Sequence, residues 1–94
     1  MTTRAEYKLN KDEKQSFKYL KNQFNPEFIV DECAETVMAI IPHPGSSRLF
    51  DVAISHCGPR EIFNKKRGKY EAMSRLNYVQ YAVMTAEQIA ALRP

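Results

Sequence analysis

The chain has 94 residues, of which 44% are hydrophobic, 11% aromatic and 27% charged, and it carries a net charge of +3 with a pI near 9.0. That length holds one domain around one core, and the composition is too apolar for a disordered polymer. A deep cofactor pocket would consume much of so small a core, so no cofactor is expected and a cofactor enzyme is disfavoured.

In chain order, Asn10 begins the first element: its side chain can cap a helix while Glu13 reaches back as in a capping box. Phe17, Leu20 and Phe24 then form one apolar stripe, and Lys11, Lys14, Lys18 and Lys21 recur on another face. Asn25-Pro26 ends the helix, because the residue before proline avoids helical torsions. Phe28-Ile29-Val30 is a short strand candidate, and Thr36 to Ile41 reads as a central strand. Pro42 to Ser47 reads as a hairpin loop that leads to a second strand, Leu49 to Ser55. That strand places Phe50, Val52 and Ile54 on one face and Asp51 and Ser55 on the other.

Cys57-Gly58-Pro59 breaks the strand, with a short helix possible from Pro59 and a firmer one from Asn64 to Leu76. Gly68 inside the latter costs roughly 1 kcal/mol relative to alanine, which weakens the helix or marks a close packing partner. Tyr78 to Val83 is a last strand. Thr85 and Gln88 then open a terminal helix, stapled by Met84 and Ile89. The expectation is an α+β domain: a small antiparallel sheet, made of a hairpin plus a further strand, packed with about three helices in the order α-β-β-α-β-α.

Charge is unevenly distributed. Residues 1–24 carry +3, residues 25–57 carry −4, residues 58–77 carry +4, and the tail is neutral. The basic stretch contains Arg60, Lys65, Lys66, Arg67, Lys69 and Arg75, interleaved with Phe63 and Tyr70 and followed by Tyr78. Such cations neutralise phosphates and aromatic rings stack on unpaired bases, although Phe63 and Tyr70 read more readily as core residues. Helical spacing offers Glu71 to both Arg67 and Arg75, leaving Arg60, Lys65, Lys66 and Lys69 as the freer cations. The stripe of Lys14, Lys18 and Lys21 is the second candidate, and an ordinary solvated helix accounts for it more simply. The acidic residues Glu27, Asp31, Glu32 and Glu35 are too irregular for a calcium loop. They read as solvated surface, or as a face for a homodimer against the basic helix.

Other chemistry finds little support. Cys33, His43, His56 and Cys57 lack zinc-ligand spacing, and no glycine-rich phosphate loop exists. His43 could serve as a general base beside Ser46 or Ser47, but it reads first as a loop residue. No apolar run approaches the ~20 residues of a membrane helix, and Met1-Thr2-Thr3-Arg4 shows no secretory leader. A cytoplasmic, membrane-free location with reduced cysteines follows as the expectation.

Residues 50–69 carry a resemblance. There the strand Phe50-Asp51-Val52-Ala53-Ile54-Ser55 passes through His56-Cys57-Gly58-Pro59-Arg60-Glu61 into Ile62-Phe63-Asn64-Lys65-Lys66-Arg67-Gly68-Lys69. This quarter of the chain resembles a pattern of small bacteriophage reading frames. The whole is similar to phage accessory proteins that blunt bacterial defences, including anti-CRISPR proteins. The resemblance implies a compact, non-enzymatic inhibitor in the bacterial cytoplasm and supplies no catalytic residue. Its partner would be a host nucleoprotein complex, such as a CRISPR surveillance complex, or the RNA or DNA of that complex. Arg60, Lys65, Lys66, Arg67, Lys69 and Arg75, with Lys14, Lys18 and Lys21, would make the contact. The rival expectations are a stand-alone DNA- or RNA-binding regulator and a toxin-type ribonuclease using His43 or His56.

Overall fold

Asn10 and Glu13 exchange the two hydrogen bonds of a capping box. The Glu13 N–H donates to Asn10 Oδ1 at 2.8 Å and the Asn10 N–H donates to Glu13 Oε1 at 3.1 Å. Helix α1 (Lys11–Phe24) starts there and stops at Asn25, whose left-handed backbone lets its N–H close on the Lys21 carbonyl at 2.8 Å. The computed structural model describes residues 6–94, so the leader-free reading of Met1–Arg4 lies outside the described residues. Among the described residues, β1 (Glu27–Asp31), β2 (Thr36–Pro42), β3 (Leu49–His56), α2 (Lys65–Asn77), β4 (Ala82–Thr85) and α3 (Ala86–Leu92) follow.

The fold is α+β, as expected. The Phe28-Ile29-Val30 candidate is a full strand, so the order reads α-β-β-β-α-β-α. The strands form one antiparallel sheet in the order β1-β2-β3-β4, with α2 inserted before the last strand. Pro42 belongs to β2 rather than to the loop. In this ladder Ile41 bonds toward β3, so Pro42 faces the β1 side, beyond the last β1 pair at Glu27 and Ile40. Its missing N–H therefore costs no ladder bond.

Both faces of the sheet are covered, by different means. On one, Leu20 of α1 and Ala72, Met73 and Leu76 of α2 bury Ala39 and Ala53. The sheet residues beneath α2 are small, and that lets the helix come close. A Cβ built on Gly68 would lie 2.5 Å from Val37 Cγ2, and Ser55 donates its hydroxyl to the Gly68 carbonyl at 2.9 Å. The glycine therefore marks close packing, which overrides its low helix propensity. On the opposite face, α3 seats Ile89 against Ile29, Met38, Ile40 and Val52. The Thr85–Gln88 capping box starts α3, Met84 packs beside the same cluster, and Arg93 reaches Glu27 at 3.0 Å.

Two expected elements differ. No helix starts at Pro59, because residues 59–60 form a turn in which the Glu61 N–H bonds the Gly58 carbonyl at 3.1 Å. The last strand begins at Ala82 rather than Tyr78. Residues 78–80 are spent closing α2: the Val79 N–H reaches Leu76 O at 3.3 Å and the Gln80 N–H reaches Arg75 O at 2.7 Å. This is a Schellman closure with Val79 at the left-handed position, φ +58°, where glycine is usual.

Candidate nucleic-acid interface

Helices α1 and α2 pack side by side on one face of the sheet, which brings the two basic segments of the sequence together. The junction is specific. Lys66 holds its ammonium 5.5 Å from the centroid of the Phe17 ring on α1. Lys14 and Lys21 lie three residues before and four residues after Phe17 and so neighbour it on the helix surface. Cations from both helices therefore meet at one seam. Lys14, Lys18 and Lys21 are exposed, as are Lys65 and Lys66, while Lys69 is half-buried.

The cations fall into two groups by what holds them. Lys65 pairs with Glu32 of the β1–β2 turn, and both side chains are largely solvated. Such a pair contributes up to about 1 kcal/mol and yields readily to a phosphate. Lys69 lies 5.3 Å over the Phe28 ring. Cation–π contacts of this kind contribute about 0.5–1 kcal/mol at a surface and leave the ammonium N–H donors free to turn outward. Arg60 is exposed in the turn before α2, with no partner among the described residues. With Lys66, these are the four cations that helical spacing leaves freer.

The two remaining arginines are structural. Arg67 lies between Glu13 of α1 at 3.4 Å and Glu71 at 3.2 Å, tying the helices together. Its Nε is close enough to Glu71 for ionic attraction but is misaligned for a hydrogen bond. The expected pairing of Arg75 with Glu71 is not made. Arg75 instead donates to the Ile54 carbonyl at 2.7 Å. Ile54 stands beyond Val52, the last β3 residue paired with β4, so Arg75 satisfies a carbonyl that the short strand leaves open. Tyr70 packs against the core, whereas Tyr78 is 73% exposed.

A second polar cluster joins residues that sequence reading kept apart. Asp51 is buried on the two-helix face, and its Oδ1 lies 2.6 Å from His43 Nδ1. The signal was present in the hairpin: His43 bonds Leu49, so Asp51 is its diagonal cross-strand neighbour. His56 stands at the other end of β3, about 20 Å away at the usual strand rise, so the two histidines do not share a site. Cys33 is exposed and Cys57 half-buried, the Cys57 thiol donating to the Glu61 carbonyl at 3.2 Å, and no metal-holding cluster occurs among the described residues. Nor is any helix there long and apolar enough to cross a membrane. Glu13, Glu32, Phe17 and Phe28 hold Arg67, Lys65, Lys66 and Lys69 respectively, and sequence spacing gives no signal for these contacts because the partners are distant in sequence.

No protein-family model, no curated protein and no solved structure matches the chain.

Proposed function

We propose that this chain is a phage-type, non-enzymatic inhibitor that lays its α1–α2 face on a nucleic-acid-handling host defence complex. The observation carrying this reading is the convergence at the Phe17–Lys66 seam of cations from two segments separated by an acidic stretch of sequence. A polyanion crossing the seam meets Lys14, Lys21, Lys66 and Lys69 together, with Lys65 and Arg60 at the margin. Such a face steers association and sets orientation more than it supplies affinity. The resemblance of residues 50–69 to phage anti-defence proteins points to a CRISPR surveillance complex, whose exposed guide RNA or bound DNA is the polyanion.

The test is charge reversal at Lys65, Lys66 and Lys69 together, measured against a purified surveillance complex. Affinity falls by at least about 100-fold, as expected for three lost phosphate contacts, while circular dichroism keeps its folded signature. Unchanged affinity sinks the reading. The same surface would also serve a stand-alone nucleic-acid regulator. Titration of naked DNA and RNA over a salt series separates the two: tight binding with a steep salt slope favours the regulator, and weak binding beside a tight complex favours the inhibitor.

A further inference from the structure

We propose that the chain forms a two-fold dimer in which β4 pairs antiparallel with β4 of a second copy, joining two sheets into one. The inference goes beyond the binding reading and does not depend on any target.

The hydrogen-bond ladder shows what the β4 edge offers. His43 N–H bonds Leu49 O, and Cys57 N–H bonds Glu35 O, so the odd-numbered residues of β3 bond toward β2. Phe50 and Val52 therefore bond toward β4, through their partners Met84 and Ala82. The Val83 N–H and carbonyl consequently point outward, and no strand lies beyond them among the described residues. Antiparallel pairing centred on Val83 sets it opposite its own counterpart, where each N–H meets the other carbonyl. Thr85 on the same edge already gives its N–H to Gln88 at 2.9 Å, so the pairing rests on Val83, which is self-complementary about a two-fold axis, the commonest symmetry of protein dimers.

The two edges of the sheet are built differently. β1 follows Pro26 and carries Glu27 and Asp31, so a second β1 would meet like charge. β4 reads Ala-Val-Met-Thr, with no charge and no proline. Beside it, Tyr78 is 73% exposed, Val79 72% and Val83 46%, placing three exposed large hydrophobic side chains within six residues.

Val79 supplies an independent observation. It occupies the left-handed position of the Schellman closure, where a β-branched residue is strained and glycine is not. Within the monomer its side chain stays 72% exposed, so the closing hydrogen bonds alone offset the strain and a second body covering Val79 would add burial to them. Pairing about Val83 carries the Tyr78–Val79 knuckle to the flank of the second copy. The two-fold axis stands perpendicular to the sheet, so the α1–α2 faces of both copies point the same way and their cations form one surface of double length. Two such faces bind one extended polyanion with an avidity that neither reaches alone.

Sedimentation equilibrium of the full chain provides the test. With an edge only four residues long, the dimer is expected at about 100 µM and the monomer at about 1 µM. Val83→Lys weakens dimerisation at least 10-fold, because it sets two ammonium groups across the axis. Val79→Gly weakens it several-fold while raising the Tm of the dilute chain by roughly 4 °C. This second variant relieves strain, so it carries the test should V83K fail to fold. A chain that stays monomeric at 1 mM overturns the proposal, as does a dimer whose affinity neither substitution alters.

Discussion

Gly68→Ala destabilises the fold by about 2 kcal/mol, against a helix propensity that favours alanine by about 1 kcal/mol. The sign of the change is therefore diagnostic. The added Cβ meets Val37 Cγ2 at 2.5 Å and Val37 Cβ at 3.2 Å, and Val37 is fully buried in the central strand β2. A β-branched side chain is restricted at χ1, and a close-packed interior leaves it little room to turn aside. Relief requires α2 to lift from the sheet, which would stretch the 2.9 Å hydrogen bond from Ser55 to the Gly68 carbonyl. Urea unfolding measures the loss. Val37→Ala alone costs about 2 kcal/mol through lost methyl groups and a cavity, but it makes room for the new Cβ. The double variant is expected to be at least about 1 kcal/mol more stable than the two single losses predict. Simple additivity, or a stabilised G68A chain, contradicts this packing.

The second large effect lies at the hairpin. His43→Ala is expected to cost about 2 kcal/mol, well beyond the ~0.5 kcal/mol typical of a loop substitution away from special contacts. The side chain of Asp51 is only 3% exposed, and its Oδ1 takes its 2.6 Å contact from His43. Removing the ring leaves a buried carboxylate without that partner, and desolvation is then uncompensated. The imidazole is one-third exposed, so water entering the vacated space moderates the loss. Asp51→Val in the His43→Ala background removes the orphaned group and sets an apolar side chain beside Ile41 and Val83, the cross-strand partners of residue 51. That double variant should recover most of the stability in thermal unfolding, because replacing both members of a buried polar pair costs less than removing one. If the single variant proves as stable as the parent, the contact is not structural.

Both effects bear on the proposed binding face. Gly68 sets the height of α2 above the sheet, and α2 carries Lys65, Lys66 and Lys69. Asp51 and His43 anchor the end of β3 that supports β4. A loss of binding in either variant must therefore be separated from a loss of fold. The surface lysines, which hold no buried partner, are the cleaner probes.

Local signals in the chain are enough for α1, α2 and α3 and for strand alternation, but not at Pro59, where a favourable start residue leads only into a turn. Asn10 with Glu13 and Thr85 with Gln88 announce helix starts because capping is satisfied within three residues. The run of β-branched and apolar residues from Thr36 to Ile41 announces a strand, and alternation separates Phe50, Val52 and Ile54 from Asp51 and Ser55. Pairings that need only near neighbours are written in the order of residues, as Arg67 with Glu71 shows. Alternation cannot say what covers each face. The side bearing Asp51 and Ser55 lies beneath two helices, because small residues there allow α2 to approach and the two polar groups find partners in His43 and Gly68. The basic run around Gly68 was evident as charge from the outset. Whether each cation is structural or available was decided by residues far along the chain: Glu13, Phe17, Phe28, Glu32 and the open carbonyl of Ile54. Ionic and cation–π contacts act through space over a few ångströms, and only the folded sheet brings those residues within that range.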